Sequence, residues 1–211
     1  MKPSLVALTA LTSLVILGSG AHADQLRLSS LAQGVSSSTA NESAVAGMGA
    51  VTWVVAGQLG VQLMGSTAYA GRPDAVVPHM ASATESASWR HRVITGAGAG
   101  AQWWMKGDRV RPYLRGGLMR VVEQPLTNYA DDPLGAMLGT RDNSNHRYGL
   151  VAGAGIDVGL ARNEKLELFF SLDVSTTMFN ESSQGPARYT AVGAGLGLAF
   201  DVGRVLPYRR R

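Results

Sequence analysis

The stretch that decides the fold is Leu166–Met178, which reads LELFFSLDVSTTM. Its even positions, from Leu166 to Met178, are mostly large and apolar, whereas its odd positions carry two carboxylates and several hydroxyls. Successive side chains of a β-strand point to opposite faces, so a strand collects the apolar residues on one face. A helix would scatter them around its circumference. The period of two therefore predicts a strand whose two faces meet different surroundings.

The same alternation recurs along the chain. In Tyr148–Leu160 and in Arg188–Val202, large apolar residues occupy the even positions, and glycine fills much of the odd side. Glycine, 26 of 211 residues, would weaken a helix by about 1 kcal/mol at each position. With turn signals marking the ends, the sequence predicts an all-β chain of eight strands, approximately at 25–36, 44–55, 58–70, 88–105, 109–122, 146–161, 165–179 and 188–203.

The connections between these strands alternate in length. Tight turns are predicted at 56–57, 106–108 and 162–164, and longer loops at 37–43, 71–87, 123–145 and 180–187. Most strands exceed the roughly 9–11 residues that a tilted strand needs to cross a bilayer. An even strand count with short turns at one end and longer loops at the other is typical of outer-membrane barrels. We therefore predict an eight-stranded antiparallel up-and-down transmembrane β-barrel over residues 24–203.

Aromatic residues support the membrane interpretation. They are predicted to form two belts, one near the short turns and one near the long loops, as amphipathic rings do at membrane interfaces. The predicted girdle consists of Trp53, Trp103, Trp104 and Phe200 at the turn end and Tyr69, Trp89, Tyr148 and Tyr189 at the loop end. Two alternatives stay open: a water-soluble β-barrel such as a lipocalin, and a transmembrane helix within Ala44–Gly71, which contains no charged residue.

The N-terminus has the pattern of a secretory signal. Lys2 precedes an uncharged apolar stretch, Leu5–Leu17, and Ala21-His22-Ala23 follows as a small-x-small cleavage site. The alternative is a membrane anchor, but the apolar run is short for a helical span. We predict a signal peptide over 1–23, cleaved after Ala23, and a basic tail over 204–211.

Composition excludes several classes of protein. The chain has no cysteine, which excludes a disulfide scaffold and a cysteine-ligated zinc or iron–sulfur site. Its net charge is only +4, and four arginines lie in the last eight positions, so no nucleic-acid-binding face is indicated.

Taken together, the signal sequence, the eight alternating strands, the aromatic belts and the Gly-Ala-Gly runs resemble the small outer-membrane barrels of the OmpA and opacity-protein type. The resemblance implies a bacterial outer-membrane location with periplasmic termini, and a structural or cell-surface interaction role. One departure is that such barrels usually end on an aromatic residue, whereas eleven residues follow Phe200 here.

Strand parity predicts which charges face the lumen. An eight-stranded barrel is just wide enough to be filled by side chains, so buried charges are expected to pair. We predict a plug of Arg–carboxylate pairs with Gln62 and Gln102 beside them, and Arg120 breaks parity by facing lipid. The predicted lumen charges are Arg27, Arg90, Arg92, Arg111, Arg115, Asp157, Glu167, Asp173 and Asp201. The first alternative is a narrow pore for small solutes, lined by the arginines at 90, 92, 111 and 115.

The second alternative is a lipid-modifying enzyme, because some eight-stranded barrels are lipid A deacylases with a His-x-Ser pair. Neither His79, His91 nor His146 has such a serine partner on its face of a strand. We therefore predict no catalytic, cofactor or metal site, and solvated loop acids at Asp131, Asp132 and Asp142. The expected partners are outer-membrane lipid and lipopolysaccharide, and a surface ligand through loops 71–87 and 123–145. We expect a monomer.

Overall fold

The computed structural model describes residues 25–37, 43–71, 91–125, 134–135, 144–179 and 188–202. Strands account for nearly all of them. Their bounds are β1 Gln25–Ser37, β2 Ser43–Ala56, β3 Leu59–Gly71, β4 His91–Trp104, β5 Val110–Pro125, β6 Asn145–Arg162, β7 Leu166–Phe179 and β8 Arg188–Asp201.

The eight strands form one closed antiparallel barrel. Each strand pairs with its neighbours in sequence, and β1 pairs with β8 from Gln25↔Asp201 to Ser37↔Tyr189. Closure leaves no unpaired sheet edge. The short turn between β2 and β3 uses Gly57 at a φ of 52°, a left-handed conformation that glycine adopts without steric cost. The predicted fold class, and with it the architecture of the small eight-stranded outer-membrane barrels, is confirmed.

One loop differs in length from the sequence prediction, and one of the alternatives left open is decided. Glu123–Pro125 continue β5 and Asn145 begins β6, so the predicted loop 123–145 is shorter at both ends. The helical alternative within Ala44–Gly71 is wrong, because that segment forms β2 and β3. Among the described residues no helix has the length and apolar character to cross a membrane.

The barrel is apolar outside and charged inside. Leu118, Leu172 and Leu196 on the outer wall are 65%, 47% and 54% exposed, respectively. Arg115 and Asp157, on strands β5 and β6, point inward and are 6% and 3% exposed. This is the reverse of a water-soluble barrel, in which the large apolar side chains would fill the interior.

Candidate functional site: the charged barrel interior

A first cluster, the turn-end cluster, fills the barrel near the short turns. Asp157 on β6 accepts a 2.6 Å charge-assisted hydrogen bond from Arg27 on β1. Ser171 Oγ donates to the same carboxylate at 2.5 Å, and Trp104 Nε1 donates at 3.0 Å. The Arg27 guanidinium also lies 4.1 Å from the ring centroid of Phe169, a cation–π contact. One carboxylate thus joins side chains from β1, β4, β6 and β7.

Two further interactions complete the turn-end cluster. Arg111 on β5 forms an ion pair with Glu167 on β7. On the opposite wall, Gln62 Nε2 donates to Gln102 Oε1 at 2.9 Å. This end of the barrel therefore combines bonds between non-adjacent strands, such as Arg27–Asp157 and Arg111–Glu167, with bonds between neighbouring strands, such as Gln62–Gln102.

A second cluster, the central cluster, is built around Asp173 on β7. Its carboxylate accepts hydrogen bonds from Arg115 Nη2 at 2.6 Å and from Tyr113 Oη at 2.8 Å. Arg115 Nη1 also approaches Met48 Sδ at 3.4 Å. Gly155 makes room for this arrangement, because a Cβ at that position would lie 2.4 Å from the Tyr113 hydroxyl. The absence of a side chain at Gly155 on β6 thus allows the Tyr113 side chain on the neighbouring strand β5 to occupy this space.

A third cluster, the loop-end cluster, lies inside the barrel at the other end. Glu123 on β5 accepts from Arg147 at 3.2 Å and from the Tyr189 hydroxyl at 3.0 Å, and it pairs with Arg92 at 3.5 Å. Arg147 stacks 3.8 Å from the ring centroid of Phe179. Glu123 is only 1% exposed, so a single carboxylate joins two arginines in a water-poor environment.

An apolar layer separates the loop-end cluster from the central cluster. Met48, Met64, Met119, Ile94 and Val151 belong to a buried hydrophobic cluster here. They line an internal cavity of about 70 Å³ together with polar side chains such as Gln33 and Ser175 and with Arg115 and Tyr189 of the adjoining clusters. A second cavity of about 20 Å³ lies among the turn-end side chains. The described interior therefore consists of three polar clusters, with a largely apolar layer between the central cluster and the loop-end cluster.

The predicted lumen residues are largely brought together in these clusters. Arg27, Arg92, Arg115, Asp157, Glu167 and Asp173 are buried inside, Arg111 is partly buried, and Asp201 is half-buried at the end of β8. Arg90 lies outside the described residues. The sequence prediction missed Glu123 and Arg147, because both positions were read as belonging to a surface loop or its edge. Their odd parity, shared with Arg115 and Asp157, is the signal that could have placed them inside.

The aromatic girdle needs two corrections. Trp53, Trp103, Tyr69 and Tyr148 are exposed on the outer wall, and Phe200 is half-buried. Trp104 and Tyr189 instead point inward and are buried, because each donates a hydrogen bond to a lumen carboxylate that would otherwise be less well satisfied. Trp89 lies outside the described residues.

The outer wall carries one charged side chain well inside a strand among the described residues. Arg120 is half-exposed on β5, and its Nη2 lies 3.0 Å from His146 Nδ1 on β6. The parity break predicted from the sequence thus places an arginine beside a histidine on the outer surface. Among the described residues, the side chain of His146 has this arginine as its hydrogen-bond partner.

Several predictions fall outside the described residues: the signal peptide, the tail, His79, and the loop acids Asp131, Asp132 and Asp142. In the described part of the chain, no three histidine or acidic residues are grouped so as to hold a metal ion.

Comparison with known proteins adds likenesses in fold. No protein-family model and no curated protein matches the chain. Neisserial surface protein A is 15% identical, with 84% of this chain and 96% of that chain covered and a TM-score of 0.47. The attachment invasion locus protein of Yersinia pestis, solved with the heparin analogue sucrose octasulfate, is 11% identical (83% and 97% covered, TM-score 0.45). The N-terminal β-barrel domain of Pseudomonas aeruginosa OprF is 16% identical (84% and 96% covered, TM-score 0.41).

Proposed function

We propose that this chain is an integral protein of the bacterial outer membrane. The observation that carries the proposal is the inverted distribution of side chains, with exposed leucines outside and paired charges inside. In water, such an outer wall would expose far more contiguous apolar surface than soluble monomers tolerate. In a bilayer the same wall faces lipid, and the closed barrel satisfies every strand hydrogen bond internally.

We further propose that the lumen is a plug and that the protein has a structural or cell-surface interaction role. Arg27, Arg115 and Glu123 each form a charge-assisted hydrogen bond to a non-adjacent strand, and such bonds strongly oppose separation in a low-dielectric medium. The longer loops, at the end opposite the short turns, would then provide the contact surface. Cleavage of residues 1–23 and periplasmic termini belong to this proposal.

Two measurements test it. The purified full chain is reconstituted into phosphatidylcholine vesicles, where flotation on a density gradient reports insertion. Planar-bilayer recording then reports conductance. We expect the protein to float with the vesicles and to show no large, stable conductance.

The contrary outcomes are distinct. Protein that stays at the bottom of the gradient contradicts the membrane location. A large, stable conductance from inserted protein contradicts the plug and favours a narrow pore. Lipid A mass analysis of cells with and without the gene tests the enzyme alternative, and we expect identical spectra.

A further inference from the structure

The outer wall contains a groove lined largely by small residues. It has a volume of about 670 Å³ and runs across strands β1 to β5. Its floor is formed by small residues, including Gly47, Gly49 and Gly65, while Val122 and Leu134 line its sides. Elsewhere on the wall, leucines such as Leu172 and Leu196 project outward.

Polar groups lie within this apolar groove. Thr95 on β4 lines it and is only 7% exposed, yet its hydroxyl has no hydrogen-bond partner among the described residues. A buried hydroxyl without a partner is costly, so a ligand that supplies one would be favoured. Arg120 also lines the groove, and His146 is its hydrogen-bonded neighbour. The groove therefore has a cationic group, the Arg120 guanidinium, next to its glycine-rich apolar floor.

The level of Arg120 along the barrel fits a lipid headgroup. Arg120 is directly paired with Tyr148 on β6, which is exposed on the outer wall. On β3, Tyr69 is paired with Val93, two residues from Thr95. Tyrosines concentrate at the membrane–water interface, and arginine side chains reach the headgroups from that level.

We propose that this groove binds an anionic phospholipid-type molecule, with its phosphate on Arg120 and His146 and one acyl chain along the glycine floor. The Thr95 hydroxyl would donate to an ester oxygen of the same lipid. The inference rests on the proposed membrane location and goes beyond it, since it distinguishes one site from the general lipid contact of the wall.

The test uses the full chain in nanodiscs of phosphatidylcholine with a minority of phosphatidylglycerol. Native mass spectrometry after release into detergent counts the phosphatidylglycerol molecules that stay bound. We expect one to be retained preferentially, and Arg120→Gln to reduce its retention about tenfold, the effect of losing a charge-assisted hydrogen bond. Ala97→Leu, which fills the groove without changing any charge, should reduce retention as well.

Arg188→Gln is the matched control, because Arg188 is exposed at the loop end of β8, outside the groove. Equal retention of both lipids by the unmodified chain, or equal losses in Arg188→Gln and Arg120→Gln, would overturn the site. So would complete displacement of the lipid by inorganic phosphate, because the acyl chain would then contribute nothing. Heat-modifiable migration on SDS gels verifies that each variant is folded, and failure of the unmodified chain to enter nanodiscs would contradict the proposed membrane location instead.

Discussion

Asp157 illustrates how single residues hold the barrel interior together. Three side chains from β1, β4 and β7 donate to its two oxygens, so its removal leaves the buried Arg27 charge without its nearest counter-charge. We expect Asp157→Asn to lower the free energy of unfolding by about 3–5 kcal/mol, the usual cost of breaking a buried ion pair. Urea titration in detergent micelles measures this. Asp108→Asn, in an exposed turn, should change stability by less than about 0.5 kcal/mol, and equal effects would contradict the argument.

Gly155 matters for the space that it leaves. A Cβ there would lie 2.4 Å from the Tyr113 hydroxyl and 2.3 Å from the Leu172 carbonyl oxygen, so Tyr113 and the backbone of β7 must both move. We expect Gly155→Ala to cost about 1–3 kcal/mol, as overpacking does in well-packed interiors. The matched variant Gly34→Ala meets only the Val192 carbonyl oxygen at 4.0 Å and should be close to neutral. Thermal unfolding of the two variants measures this difference in stability. Equal stability of Gly155→Ala and Gly34→Ala would contradict the prediction.

At the scale of the element, β4 places two neighbouring tryptophans on opposite faces. Trp103 is exposed on the outer wall, whereas Trp104 is buried and bonded to Asp157. In single-tryptophan variants reconstituted with brominated lipids, we expect strong fluorescence quenching of Trp103 and weak quenching of Trp104. Trp53, which is also exposed on the outer wall, should behave like Trp103. Similar quenching of Trp103 and Trp104 would show that the strand does not alternate between lipid and lumen.

Strand periodicity explains which parts of this structure were predictable. The alternation in β6, β7 and β8 fixes both the strands and their inward faces, so Asp157 and Asp173 could be placed from sequence. The end of β5 was missed because Glu123-Gln124-Pro125 has the composition of a loop, and the odd parity of Glu123 was the one signal against that interpretation. Trp104 was misplaced because a general preference of tryptophan for interfaces was given more weight than its even parity, which it shares with the buried Gln102.

At the scale of the whole molecule, the order of the interior layers bears on whether a solute could pass through the barrel. A methionine-rich layer lies between the central cluster and the loop-end cluster, and the cavity there is lined by Arg115 and Tyr189 together with polar side chains such as Gln33 and Ser175. In the proposed plug, a solute crossing the barrel would have to disrupt ion pairs at both ends and pass a cavity of only about 70 Å³. The proposal therefore shares closure of the lumen between distant clusters, and loosening one of them alone is expected to leave the others in place.

The orientation of the barrel gives a further test of the whole molecule. The chain lacks cysteine, so single-cysteine variants can be labelled without background. Arg188 is exposed at the long-loop end of β8, outside the groove, whereas Asp108 is exposed in the turn between β4 and β5 at the other end. If the short turns face the periplasm, a membrane-impermeant maleimide added to intact cells should label Arg188→Cys readily. Asp108→Cys should react only after the outer membrane is permeabilised, and the opposite pattern would require the barrel to be inverted.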